Sequence, residues 1–132
     1  MTKAFRVTHP YDETHRLAPG MTLHHVGGHY DGQAVLHDAA ARRLFSGDVF
    51  KIDQDPEGRA VAISTHKAFH KQIPMTRAEL EHYRAVLAPL SFDEVCTPFE
   101  RAPDIDDRLC AAFLDYALQA PPSAAPVPLD RL

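Results

Sequence analysis

The apolar positions of this chain fall into short runs in its first half and into helical spacing in its second. Met21 to Val26 reads as a strand, and the Gly27-Gly28 pair that follows predicts a turn. Gln33 to His37 alternates as a second strand, and Asp38 to Arg42 is a polar connection. Arg43 to Ser46 is a third, ended by Gly47-Asp48. Short strands on tight connections predict an antiparallel meander. Residues 53–58, DQDPEG, predict a turn or exposed loop, and Ala60 to Ile63 is apolar but too short to assign. Thr76 and Glu79 stand three apart as a capping box, each satisfying a free N–H group of a first helical turn. Leu80, Tyr83, Val86, Leu87 and Leu90 then recur at helical spacing, with Pro89 ending the helix near Ala88. Asp93 to Thr97 is a further strand. Pro103 suits a first helical position, and Ile105, Leu109, Phe113, Tyr116 and Ala117 share one face of the helix that follows. Asp104, Asp106 and Asp107 crowd its start, where the helix dipole favours negative charge.

Strands first, then helix, strand and helix predict an α/β (α+β) domain over residues 1–120: one mostly antiparallel sheet with helices on one face. The other face is then left open, with Val35, Leu44, Val49 and the Ala60–Ile63 run as its expected lining. Residues 1–20 carry few signals beyond a possible short strand at Ala4–Thr8. From Pro121 the tail is rich in Pro and Ala and is expected to be disordered.

Composition narrows the partners. The 132 residues are 45% hydrophobic, enough for one packed core. A net charge of −4 and no basic run longer than Arg42-Arg43 argue against nucleic-acid binding. No stretch approaches the roughly 18 apolar residues of a membrane span. The first residues lack the apolar segment of a secretory signal, and Cys96 and Cys110 suit thiols in a reducing cytoplasm. Nine histidines are a reason to look for metal ligands.

Two turns hold the candidate chemistry. His29 follows a Gly pair, and Asp48 follows Gly47 at the end of an apolar strand. Each alone is the pattern of an ordinary turn. An imidazole and a carboxylate delivered from adjacent strand ends suit zinc, iron or manganese. Taken together, Gly27-Gly28-His29-Tyr30-Asp31-Gly32 and Phe45-Ser46-Gly47-Asp48, with Asp48 19 positions after His29, resemble the metallo-β-lactamase superfamily over roughly residues 20–100. The resemblance implies that His29 binds one metal and that Asp48 bridges two. It also implies a half-domain, since the family's four-layer sandwich has two sheet-and-helix halves and only the second is matched. The family's His-x-His-x-Asp-His loop is absent, and His9 and His15 have the wrong spacing for it. Phe99 stands near the place of the family's final His. Two ligands fall short of the three that hold a catalytic zinc, so the metal is expected to bind weakly in this chain alone.

Other residues compete. His66 and His70 would share a helix face if their segment were helical, and otherwise are surface groups. His24 and His25 point to opposite faces of a strand, and His25 is a candidate to orient a ligand. Tyr30 and Asp31 either orient His29 and meet substrate or are plain turn residues. Lys51 and Lys67 are solvated lysines or contacts for an anionic substrate, and Cys96 is a small core residue. Two functional classes follow. The first is a metal-dependent hydrolase completed by a partner chain or an upstream region, its small-molecule substrate unspecified. The second is a non-catalytic half-domain that dimerises or binds a second polypeptide through its open sheet face.

Overall fold

The structure is a computed structural model that describes residues 14–67 and 73–132. The expected strand at Ala4–Thr8, and His9 and His70, lie outside the described residues. The class is α+β. Strands β1 (Thr14–Ala18), β2 (Met21–His25), β3 (Ala34–Asp38) and β4 (Arg43–Phe45) form an antiparallel meander. Strands β5 (Lys51–Gln54) and β6 (Ala60–Ser64) form a separate hairpin, followed by helix α1 (Arg77–Leu87). The order then continues with β7 (Glu94–Cys96), β8 (Arg101–Ala102), helix α2 (Asp107–Gln119) and β9 (Val127–Pro128).

Two sheets result where one was expected. The larger has the order β1-β2-β3-β4-β7-β8, and the smaller β5-β6-β9. A 3₁₀ turn at Gly47–Val49 takes the chain out of the larger sheet after β4, so the hairpin 51–64 builds its own. Among the described residues, only β4 and β7 pair in parallel. The helices start where side chains satisfy their first amides. Thr76 and Glu79 form the expected capping box on α1. The start of α2 differs from expectation: Pro103 lies in a turn before it, and the Asp106 carboxylate caps it by accepting from the Leu109 amide.

The pairing register decides which side chains enter the core. His37, Leu44, Val95 and Ala102 stand in one cross-strand row, and Val35 lies on the same face. Val35, Leu44, Val95 and Ala102 are fully buried against Leu80, Tyr83 and Leu87 of α1 and Phe113 and Leu114 of α2. Val49, Ile52 and Ile63 join the same core. Val35, Leu44, Val49 and Ile63 are therefore core residues, contrary to the expected open-face lining; Val61 alone of that set is exposed. Side chains alternate with period two, so an error of one in parity exchanges the faces of a whole strand. The opposite face carries the row Leu23, Leu36, Phe45 and Cys96, all half-buried. Glu94 closes one edge of it between Arg43 and Arg101, and the two guanidinium groups, Arg101 foremost, hold its carboxyl below the usual range.

The tail is not the disordered segment that its composition suggested. Pro128 pairs with Ala62 and Val127 with Ile63, and Val127, Leu129 and Leu132 pack on the core. Pro128 is tolerated because β9 is an edge strand, where one amide is not needed by the sheet. Among the described residues, no helix is long and apolar enough to cross a membrane.

Candidate functional site

β2 and β4 flank β3 in antiparallel fashion, and β7 runs parallel to β4, so β2, β4 and β7 all end at one edge of the sheet. The turns after them carry His29, Asp48 and the Thr97–Glu100 loop. These turns meet at a cleft of about 340 Å³. Phe50, Lys51 and His66 complete its walls. The two residues that carry the family resemblance are thus brought together, with His29 Nε2 3.8 Å from Asp48 Oδ2.

The imidazole is held from both ends. Its Nδ1 lies 2.7 Å from the His66 carbonyl oxygen. A carbonyl only accepts, so Nδ1 carries a proton there and leaves Nε2 facing Asp48. The backbone of His29 is fixed separately. Its amide donates both to the Tyr83 hydroxyl and to the Gly27 carbonyl, each at 3.0 Å, and the hydroxyl donates to the same carbonyl at 3.1 Å. Burial pushes the Tyr83 phenol up to about 12, which keeps it protonated and able to donate near neutral pH. The hydroxyl reaches the turn because Gly28, at φ +80°, has no Cβ; one placed there would lie 2.5 Å from the phenol oxygen.

Asp48 sits in the 3₁₀ turn between Ser46, whose amide donates to the Cys96 carbonyl at 2.9 Å, and Val49, which is fully buried. Gln33 lies between the two turns, its side-chain nitrogen 2.7 Å from where a Cβ on Gly47 would stand. Its carbonyl accepts from the Val26 and Gly27 amides, and its side-chain nitrogen donates to the Ala34 carbonyl at 2.9 Å. Its Oε1 is buried with no hydrogen-bond partner among the described residues.

The remaining candidates take varied places. His25 Nε2 contacts the Asp31 carbonyl at 2.5 Å and so braces the turn rather than the His29 ring. Tyr30 is half-exposed and meets the His29 ring edge-on at 5.9 Å. Lys51 pairs with Asp53 at 3.5 Å on the cleft wall, and Lys67 pairs with Glu79 and reaches the Gly28 carbonyl at 3.4 Å. His66 is not in a helix; its ring stacks edge-on to His29 at 5.4 Å, a cleft position its surface reading missed. Cys96 lies on the half-buried sheet face, and burial raises its thiol pKa. In the Thr97–Glu100 loop, the Thr97 hydroxyl accepts from the Phe99 and Glu100 amides, and the Phe99 ring is 85% exposed.

Two donors each ~2.0–2.2 Å from a tetrahedral ion stand roughly 3.3–3.6 Å apart. The separation of His29 and Asp48 is a few tenths of an ångström wider and exceeds a hydrogen bond. The two side chains would have to approach by a few tenths of an ångström to take adjacent positions around one ion. Among the described residues, no group of three or more His, Cys, Asp or Glu side chains comes together as a metal-ligand set.

Known proteins add one likeness. No family model matches the chain, and no solved structure matches it. It is 28% identical over 93 residues to the uncharacterized protein YmaE of Bacillus subtilis (strain 168), covering 67% of this chain. The chain spans about a third of that relative, 32% of its length. The aligned relative is therefore a longer protein, and its name assigns it no activity.

Proposed function

We propose that this chain is a half-domain of the metallo-β-lactamase type that contributes His29 and Asp48 to the metal site of a hydrolase, with the remaining ligands supplied by a second polypeptide segment. The observation that carries this reading is the His29 ring, with Nδ1 tied to the His66 carbonyl and Nε2 facing the Asp48 carboxylate at 3.8 Å. A ligand histidine is commonly oriented in this way by its other nitrogen. When bound, a zinc, iron or manganese ion would polarise a water or substrate oxygen. This chain's own part is to fix one imidazole and one carboxylate at the mouth of a cleft; the Phe99 ring beside them is no donor. Because the set is incomplete, no hydrolytic step is assigned to the chain alone. Free thiols at Cys96 and Cys110 support a reducing compartment such as the cytoplasm.

Calorimetric titration with zinc tests the reading. The unaltered chain takes zinc weakly and retains less than one ion per chain after dialysis, and His29→Ala or Asp48→Asn removes the uptake. Identical titrations for the unaltered chain and the double variant would refute it.

The half-buried row Leu23, Leu36, Phe45 and Cys96 favours a second reading, a non-catalytic half-domain that pairs with a copy of itself through that face. Light scattering then gives a particle of twice the 14.7 kDa chain mass, and Phe45→Glu returns it to one chain. A monomer at micromolar concentration sinks this second reading.

A further inference from the structure

We infer that Tyr83 is a positioning residue for His29, an inference that rests on the reading of His29 as a ligand. Tyr83 does not line the cleft; it projects from the buried face of α1 and is fully enclosed. Its hydroxyl is the only part that reaches the site, and it acts twice there, donating to Gly27 and accepting from His29. A hydroxyl can do both at one atom, which neither a carbonyl nor an ammonium group can. The turn is shaped to receive it. Gly27 and Gly28 both adopt positive φ, and a Cβ on Gly28 would stand 2.5 Å from the phenol oxygen and 2.4 Å from Met75 Cε.

The grip extends along α1. Its first turn is fixed by the Thr76–Glu79 capping box, and Glu79 also holds Lys67, whose ammonium reaches the Gly28 carbonyl. The helix thus engages Gly27 and His29 directly through the Tyr83 hydroxyl, and Gly28 at one remove through the Glu79–Lys67 pair. With the ring anchored independently at Nδ1, the direction of Nε2 is set from both backbone and side chain. A buried position in a helical stripe would normally hold a leucine or a phenylalanine. The hydroxyl turns this one from packing into control of the ligand's orientation.

Tyr83→Phe removes the oxygen and keeps the ring. Amide hydrogen exchange then speeds up several-fold at His29 beyond any change at the β3 amides, because that amide loses one of its two acceptors and keeps only the Gly27 carbonyl. Zinc affinity falls by about 10–100-fold, as for other groups that orient ligands. Equal acceleration at His29 and in β3 would reduce Tyr83 to a packing residue and overturn the inference. The unaltered chain gives a test that needs no variant: a nuclear Overhauser contact between the Tyr83 ring and the His29 amide is expected, and its absence overturns the inference even if Tyr83→Phe fails to fold. No zinc uptake by the unaltered chain would instead sink the ligand reading alone, since the exchange and Overhauser measurements need no metal.

Discussion

Replacing Gly28 with alanine tests the packing of the His29 turn against α1. The new Cβ would meet Met75 Cε at 2.4 Å, the Tyr83 phenol oxygen at 2.5 Å and Tyr83 Cζ at 2.7 Å. The methionine methyl can swing away, since it ends a flexible side chain. The tyrosine cannot, because it is fully buried and hydrogen-bonded on both sides of the turn. The left-handed backbone at φ +80° adds about 1–2 kcal/mol for a residue with a Cβ. Overpacking adds ~1–3 kcal/mol, for a total of ~2–5 kcal/mol. Gly58 supplies the comparison: its φ is +83°, and a Cβ there meets nothing within 4 Å. Gly58→Ala therefore shows the backbone cost without the clash. In thermal unfolding followed by circular dichroism, Gly28→Ala lowers the midpoint by roughly 4–12 °C more than Gly58→Ala does. Equal losses in the two variants would refute the close approach of Tyr83 to the turn.

Three further outcomes follow from burial and charge. Leu44→Ala, at a fully enclosed position, costs about 2–5 kcal/mol in urea unfolding, and Phe45→Ala on the half-buried face costs less; the reverse order would mean that the faces of the sheet are misassigned. Burial, and next the neighbouring His37, lower the His24 pKa from its ordinary 6.5, while His82 of α1 lines the same surface pocket. The folded chain thus resists a proton that the unfolded chain accepts; this contribution is complete above pH 6.5 and is lost as pH falls through 6.5 towards the lowered value, so His24→Gln flattens the acid limb of a stability–pH curve. Removing residues 121–132 strips Val127, Leu129 and Leu132 from the core and lowers the urea midpoint, whereas an unchanged midpoint would show that the tail adds nothing.

The parts of the fold that were legible are those written in local sequence. Thr76, Glu79, the apolar spacing and Pro89 together announce α1 with its ends within a residue or two, because capping and periodicity are both short-range. The meander β2-β3-β4 is equally plain, since Gly27-Gly28 marks its first turn, the polar stretch 38–42 its second and Gly47 its end. The β5-β6-β9 sheet was not legible. Ala62, Ile63 and Ser64 are all buried, so β6 lacks alternation, and its partners lie at Lys51–Gln54 and Val127–Pro128, the second of them about half the chain away. The prolines of the tail suggested disorder, yet one of them occupies an edge where its missing amide does no harm. At the site, His29 and Asp48 stood out as side chains on glycine turns. His66 did not, because it holds His29 through a carbonyl that any residue possesses. Tyr83 looked like one more member of a helical stripe, and the only hint of its second role was a polar atom on a ring that is fully buried.

The parallel pairing in the larger sheet has a kinetic side. β2, β3 and β4 can pair within a few residues of chain, whereas Arg43 meets Glu94 only across a separation of 51 positions. Loop-closure entropy makes the distant pairing the slower event. The strands that lead into the His29 and Asp48 turns are thus free to assemble early. The Thr97–Glu100 wall of the cleft arrives only when β7 docks, after the hairpin and α1 that intervene. Refolding followed by pulse labelling should accordingly protect the amides of β3 before those of β7, with the cleft closing last.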